Sequence, residues 1–125
     1  MDTNNHHTVV LGATNKPARY ANQAIRLLRQ KGFHKITPVH PKLRESEGLP
    51  VTNDLADIEQ PVDTLTLYVG TVRLLPMIKK IVDLKPGRVI FNPGTESTPL
   101  QHALDRAGIP WEEACTLVLL RTGQF

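Results

Sequence analysis

The first apolar run of the sequence leads into a loop that is suited to holding a phosphate. The run is Thr8-Val9-Val10-Leu11, and the loop contains Gly12, Ala13, Thr14, Lys16, Pro17 and Arg19. A glycine directly after a strand lets the backbone approach a ligand closely, and a following helix turns its free N–H groups toward the same point. The alternative to a phosphate-binding loop is an ordinary strand-to-helix turn in which Lys16 and Arg19 are solvated.

This loop departs from the dinucleotide-binding fingerprint, which requires three glycines as G-x-G-x-x-G. Thr14 and Pro17 stand where the second and third glycines belong. An NAD site also uses an acidic residue after the second strand to hold the ribose, whereas this chain has His40-Pro41-Lys42 there. A lysine suits a phosphate on the ribose, with Arg44 as a second candidate. An NAD(P)-binding domain, as redox sensor or oxidoreductase component, stays open as the alternative.

Other reactive residue types do not combine into a site. The five histidines have no metal-ligand spacing, with His6-His7 expected at a frayed N-terminus and His102 on a helix surface. Cys115 lies near Glu112 and Glu113, which disfavour a thiolate, so we expect a core or half-buried cysteine. Adjacent residues of a strand point to opposite faces, so the two glutamates cannot readily share a site. We expect no metal and no catalytic residue.

The elements that position these loops alternate between strand and helix. Short apolar runs predict strands at residues 8–11, 35–39, 64–69 and 88–91, and a fifth strand beginning at Trp111. An apolar tail, residues 116–120, follows the fifth strand. Pro38 makes the second strand irregular or places it near a sheet edge.

Three helical patterns separate the strands. The first has Ala21, Ala24, Ile25 and Leu28 on one face and ends at Gly32. The second spans roughly Val72 to Leu84, and Pro76 must lie in its first turn or delay its start. The third starts at a capping box, Thr98-Pro99-Leu100-Gln101, and ends at Gly108.

This alternation predicts an α/β fold: a Rossmann-like three-layer sandwich with a mainly parallel five-stranded sheet. Ligands of such folds bind beyond the carboxyl ends of the strands, where the strand order reverses. The loops expected at that edge are 12–19, 40–44, 69–71 and 92–96.

In their order and spacing, the loop motifs resemble those of the stand-alone CoA-binding domain proteins. This family is similar to the N-terminal CoA-binding domain of the succinyl-CoA synthetase α-subunit. The motifs are Gly12-Ala13-Thr14, Lys16-Pro17, Arg19, His40-Pro41-Lys42 and Asn92-Pro93-Gly94. The resemblance covers nearly the whole chain, from Thr8 to about Thr122. The synthetase's phosphorylated histidine belongs to a second domain, which has no counterpart in this sequence.

The resemblance implies a role for each loop. Gly12, Ala13, Thr14, Lys16, Pro17 and Arg19 would cradle the phosphates of coenzyme A, and Pro41 and Lys42 would meet its 3′-phosphate region. Tyr68, Val69 and Gly70 would lie beside the adenine, and Asn92, Pro93 and Gly94, with Thr95 and Glu96, along the pantetheine. The chain has Gly70-Thr71-Val72 where the synthetase carries a proline, so its adenine contact differs from the family pattern.

Composition is consistent with a single domain over residues 1–125. The chain is 40% hydrophobic and 5% aromatic, with a formal charge of +3 that suits an anionic small molecule better than a nucleic acid. No apolar stretch approaches the length of a membrane span, and the start Met1-Asp2-Thr3-Asn4-Asn5 lacks a signal-peptide pattern. With one cysteine, no internal disulfide can form. We expect a cytoplasmic protein that contacts neither nucleic acid nor membrane.

The sequence thus predicts non-catalytic binding of coenzyme A or an acyl-CoA through the loops at the carboxyl ends of the strands. We expect the chain not to be an enzyme. A protein partner or a homo-oligomer stays open, as does a pure interaction module that kept the fold and lost the ligand. A valine at Gly12 is expected to abolish binding and leave the fold nearly native.

Overall fold

Seven strands form two sheets in the described residues. They are β1 (His7–Leu11), β2 (Lys35–Val39), β3 (Glu45–Ser46), β4 (Leu49–Pro50), β5 (Thr64–Leu67), β6 (Arg88–Phe91) and β7 (Trp111–Glu113). The computed structural model describes residues 3–125. Met1 and Asp2, which begin the segment expected to lack a signal peptide, lie outside the described residues.

The main sheet is parallel throughout, with the strand order β2-β1-β5-β6-β7. Its register aligns the carboxyl ends of the first four strands. Leu11 pairs with both Val39 and Leu67, and Leu67 pairs with Phe91. The loops that follow these strands therefore emerge side by side at one edge of the sheet. The short strands β3 and β4 form a separate antiparallel pair in the loop after β2.

Helices cover both faces of the sheet. Their bounds are α1 (Tyr20–Gln30), α2 (Thr71–Leu74), α3 (Ile78–Leu84), α4 (Thr98–Ala107) and α5 (Thr116–Arg121). Strand side chains alternate between two cores: Val9 packs in the core with α3 and α4, and Val10 in the core with α1 and α5. Both valines are fully buried. The predicted three-layer Rossmann-like sandwich with a parallel five-stranded sheet is confirmed.

Several local predictions are also confirmed. Gly32 and Gly108 follow α1 and α4 with positive φ angles of 91° and 73°, the conformation that favours glycine at a helix end. Pro38 lies in β2, which is an edge strand of the sheet. Cys115 is half-buried.

Two helix predictions need correction. The N-cap of α4 is Ser97, whose hydroxyl accepts from the Leu100 amide, so Thr98 is the first helical residue and not the cap. The segment from Thr71 to Leu84 is not one helix, because a 3-10 turn, Leu75–Met77, contains Pro76 and separates α2 from α3. The apolar tail after β7, for which no secondary structure was predicted, forms α5.

The expectation that His6-His7 is frayed is wrong. His7 begins β1 and is 2% exposed. Its ring nitrogens contact the Pro61 carbonyl at 2.9 Å and the Thr37 hydroxyl at 2.7 Å, and its amide donates to Asp63. Burial with this many polar partners makes His7 a structural residue of the first strand.

Two findings bear on membranes and metals. In residues 3–125, no helix combines the length and the apolar character needed to cross a bilayer. The same residues contain no group of three or more His, Cys, Asp or Glu side chains placed to hold a metal ion.

Candidate functional site

A cleft of about 770 Å³ opens at the carboxyl ends of β1 and β5. The chain leaves β1 for β2 on one side and returns to β5 on the other, so the strand order reverses between β1 and β5. Loops diverge at such a reversal, which is why open α/β sheets place their ligands there. The volume lies within the range of small-molecule and cofactor sites.

Most of the predicted ligand-binding residues line this cleft. They are Gly12, Ala13, Thr14, Lys16, Arg19, Pro41, Tyr68, Val69, Gly70, Pro93 and Gly94, together with Thr95. Four separate loops contribute to this set. The parallel register explains the convergence, since each loop starts where its strand ends at the common edge.

Pro17, Lys42 and Asn92 are outside the lining. Pro17 lies instead on a smaller groove between α1 and α5. Lys42 is exposed beside Pro41. Glu96, also predicted to lie along the pantetheine, is outside the lining, and its carboxylate accepts from the Gly94 amide. Ligand contacts by these residues stay predictions.

Asn92 is buried and stabilises the site through side-chain hydrogen bonds. It is 3% exposed, and its Nδ2 donates to the Thr66 hydroxyl at 2.7 Å and the Leu67 carbonyl at 2.8 Å. Its Oδ1 accepts from the Thr116 amide at 2.8 Å. With both N–H groups and one oxygen lone pair engaged, Asn92 ties the loop after β6 to β5 and α5 beneath the cleft.

The turn after β1 is held by the backbone itself. The amides of Gly12 and Ala13 both donate to the Val39 carbonyl at 3.0 Å. Gly12 has φ +97°, and a Cβ atom there would lie 2.8 Å from the carbonyl oxygen of Tyr68. The fold therefore requires glycine at this position. The expectation that Gly12→Val would leave the fold nearly native is wrong.

The N-terminus of α1 is open toward the cleft. Arg19 occupies the N-cap position with an extended backbone, its side chain makes no capping hydrogen bond, and the first turn has no acidic residue. Within the described part of the chain, the amides of Tyr20 and Ala21 have no acceptor. Both residues line the cleft. Unpaired amides and the positive end of the helix dipole favour an anion here.

Cationic side chains reach the cleft from both sides. Lys16 and Arg19 belong to the loop before α1, and Arg73 belongs to α2 on the opposite flank. Among residues 3–125, none of these three side chains forms an ion pair or a hydrogen bond. Lys80 also lines the cleft, paired with Asp54. Three exposed positive charges are thus available to an anionic ligand.

A family model described as a CoA binding domain matches residues 6–121. The chain belongs to this family. The match spans all four loops of the cleft and confirms the resemblance that the loop motifs indicated.

Solved structures of similar proteins share the fold over nearly the whole chain. A crystal structure of an uncharacterized protein is 41% identical, with a TM-score of 0.89, and covers 96% of this chain and 98% of that chain. A Thermus thermophilus protein is 30% identical with a TM-score of 0.86, covering 96% of this chain and 90% of that chain. A search of curated proteins finds no match.

A larger protein shares the fold. The dinucleotide forming acetyl-coenzyme A synthetase 1 of Ca. Korarchaeum cryptofilum, in complex with phosphate and ADP, is 22% identical with a TM-score of 0.73. The match covers 87% of this chain and 25% of that chain. At this level of identity the likeness shows the fold alone.

In this CoA-binding domain, the turn after β2 is fastened by a histidine. Nδ1 of His40 accepts from the amides of Lys42 and Leu43 at 3.0 Å. The Asn53 amide group donates to the carbonyls of His40 and Leu43 at 2.8 and 2.9 Å. These bonds hold Pro41 against the cleft and turn the Lys42 side chain toward solvent.

The Tyr68 hydroxyl is buried beneath the cleft. It lies near the hydroxyls of Thr66 and Thr116 but makes no well-formed hydrogen bond within the described residues. Burial raises the pKa of Tyr68 to about 12, although the neighbouring hydroxyls act in the opposite direction. The phenol therefore stays neutral at physiological pH, and Tyr68 lines the cleft without contributing a charge.

Several lining residues were not among the predicted ligand contacts. They are Asn15, Tyr20, His40, Leu43, Asn53, Asp54, Leu55, Arg73, Met77 and Lys80. Asp54 is the most instructive of them, because it supplies an acid near the end of β2 although none follows that strand directly. Thr52 pairs with Val39, and this bridge brings Asp54 to the strand end. A sequence signal would have required prediction of that bridge.

Proposed function

We propose that this protein binds coenzyme A or an acyl-CoA in the cleft without catalysing a reaction on it. The observation that carries the proposal is the meeting of three unpaired cations with an open helix N-terminus inside one cleft of a CoA-binding domain. Coenzyme A is long and anionic, with a pyrophosphate and a 3′-phosphate. Its phosphates match the cations, and its pantetheine arm matches the apolar and backbone surfaces around Pro93 and Gly94.

The pyrophosphate is assigned to the start of α1. The amides of Tyr20 and Ala21 need an acceptor, and the side chains of Lys16 and Arg19 stand at the same end of the helix. Arg73 faces them from the other flank, so the two phosphates would be held between cations. Backbone amides and charged side chains acting together form the strongest kind of phosphate contact.

The absence of turnover is the second half of the proposal. Within the described chain, Cys115 is not a lining residue of the cleft. A protein cysteine is therefore not placed to accept the acyl group of a bound acyl-CoA. Nδ1 of His40 accepts from two amides, which puts the proton of the neutral ring on Nε2, so the remaining nitrogen is a donor and not a general base. Incubation with an acid, ATP and coenzyme A should give no acyl-CoA by mass spectrometry. Robust turnover would refute this half.

Titration calorimetry tests the binding half. Wild type should bind coenzyme A more tightly than NADH, and saturation at about 100 times Kd should raise the free energy of unfolding by roughly 2.7 kcal/mol. Lys16→Gln and Arg73→Gln should each weaken coenzyme A about tenfold or more, because each removes a charged hydrogen-bond donor. Lys31→Gln is the matched control, since Lys31 is exposed at the far end of α1. Equal losses in all three variants would contradict the assigned site.

An NAD(P) site is the second candidate, and one observation favours it. Asp54 places a carboxylate in the cleft near the end of β2, where NAD sites hold the ribose hydroxyls. Against it, the loop after β1 lacks the second and third glycines of the dinucleotide fingerprint, and no acid follows β2 directly. Tighter binding of NADH than of coenzyme A would decide for this candidate.

A further inference from the structure

An acid and a base from distant parts of the chain meet in the wall of the cleft. Nζ of Lys80 lies 3.0 Å from Oδ1 and 2.9 Å from Oδ2 of Asp54. Both residues line the cleft. Their side chains remain 50% and 43% exposed, so a ligand in the cleft can reach both groups.

Neighbouring backbone and packing contacts hold the Asp54–Lys80 pair in place. The Asp54 carboxylate also accepts from the Ala56 amide at 2.9 Å, which caps the 3-10 turn Leu55–Asp57. These contacts lower the pKa of Asp54, the backbone hydrogen bond most and the Lys80 hydrogen bond next, so the group stays ionised. Lys80 stands on α3 beside Ile81, which is fully buried. A hydrogen-bond acceptor and a donor are therefore presented side by side from ordered elements.

Apolar side chains adjoin the pair. Leu55 follows Asp54 in the chain, and Met77 lies one helical turn before Lys80, and both line the cleft. Leu55 is 4% exposed, and Val69, another lining residue, is 6% exposed. A polar edge beside apolar walls is the environment that a flat heteroaromatic ring requires.

We infer that Asp54 and Lys80 recognise the adenine of the bound coenzyme by its Hoogsteen edge. On that edge, adenine presents the N6 amino group as donor and N7 as acceptor, next to each other. The Asp54 carboxylate would accept from N6, and the Lys80 ammonium would donate to N7. Guanine presents two acceptors there, O6 and N7. Its O6 would therefore oppose the Asp54 carboxylate, which is also an acceptor, with no hydrogen between them. The inference rests on the proposed function and names the base that the site selects.

Etheno-CoA provides the test, because its etheno bridge removes the N6 donors and leaves N7 intact. Wild type should bind etheno-CoA about tenfold or more weakly than coenzyme A, as expected for loss of a hydrogen bond to a charged group. Asp54→Ser keeps a capping oxygen for the Ala56 amide but withdraws the carboxylate. It should weaken coenzyme A and leave etheno-CoA unchanged, so the ratio of the two Kd values falls to about one. Lys80→Met should weaken both ligands equally.

The matched control is the other ion pair of α3. Lys79 and Asp83 approach to 2.7 Å but are outside the cleft, with side chains 86% and 61% exposed. Asp83→Ser and Lys79→Met should change neither Kd. If wild type binds coenzyme A and etheno-CoA equally, or if Asp54→Ser preserves their ratio, the base assignment is overturned alone. If wild type binds neither ligand, the proposed function is overturned and the base assignment with it.

Discussion

Replacing Gly12 by alanine should strongly destabilise the fold, because two separate effects add at this position. A φ of +97° costs an L-residue about 1–3 kcal/mol. The new Cβ would also lie 2.8 Å from the Tyr68 carbonyl oxygen and 3.0 Å from Cγ2 of Val69, in the packed seam between β1 and β5. Overpacking of this kind costs a further 1–3 kcal/mol or so. The expected loss is about 2–6 kcal/mol, against a typical total stability of about 5–15 kcal/mol.

Urea unfolding of Gly12→Ala and Gly94→Ala separates the two effects. Gly94 has a similar φ of +92°, but a Cβ atom there would meet nothing within 4 Å, so its alanine carries the backbone strain alone. We expect Gly12→Ala to lose at least about 1 kcal/mol more than Gly94→Ala, with unchanged m-values. Equal losses would refute the contact with the Tyr68 carbonyl. If Gly12→Ala instead loses more stability than Gly94→Ala, as expected, then failure of Gly12→Val to bind coenzyme A would report unfolding and not the loss of a ligand contact.

Three further changes have defined outcomes. Lys42→Ala should weaken coenzyme A about ten- to a hundredfold and leave dephospho-CoA nearly unaffected in calorimetry, if Lys42 meets the 3′-phosphate. Burial lowers the pKa of His6 below 6.5, so its stabilising contribution, present above that value, is lost as pH falls through the native pKa. His6→Gln should therefore flatten the dependence of urea stability on pH just below 6.5. Burial raises the pKa of Tyr68 to about 12, so stability should fall as pH rises from 10 toward that value. Tyr68→Phe should remove this fall and leave neutral-pH stability equal or higher, since the buried hydroxyl has no well-formed partner.

Local patterns sufficed for β1, α1 and α4 and for most of the cleft. Apolar runs and helix-ending glycines have local causes, so β1, α1 and α4 were predictable to within one or two residues. Ser97 displaced Thr98 as the N-cap because both are good caps, and only the backbone at the helix start selects between them. The tail that forms α5 was ambiguous, since a short apolar run fits strand and helix equally.

The rest of the cleft depends on tertiary structure. Asp54 and Lys80 stand 26 residues apart, and no spacing in the sequence relates them. They meet because Thr52 bridges to Val39 and because α3 contacts the 3-10 turn Leu55–Asp57 that follows Asp54. Sequence reasoning likewise could not show that Asn92 is engaged by Thr66 and Thr116, since these partners come from two other elements.

The strand order has a consequence for aggregation. Edge strands with free N–H and C=O groups are templates for pairing with other chains, and proteins protect them with proline, charge or a covering loop. Here Pro38 lacks an N–H group, and its carbonyl accepts from the amide of Thr52. At the opposite edge, β7 is only three residues long and carries Glu112 and Glu113. Sheet extension by a strand of another chain is thus disfavoured at both edges.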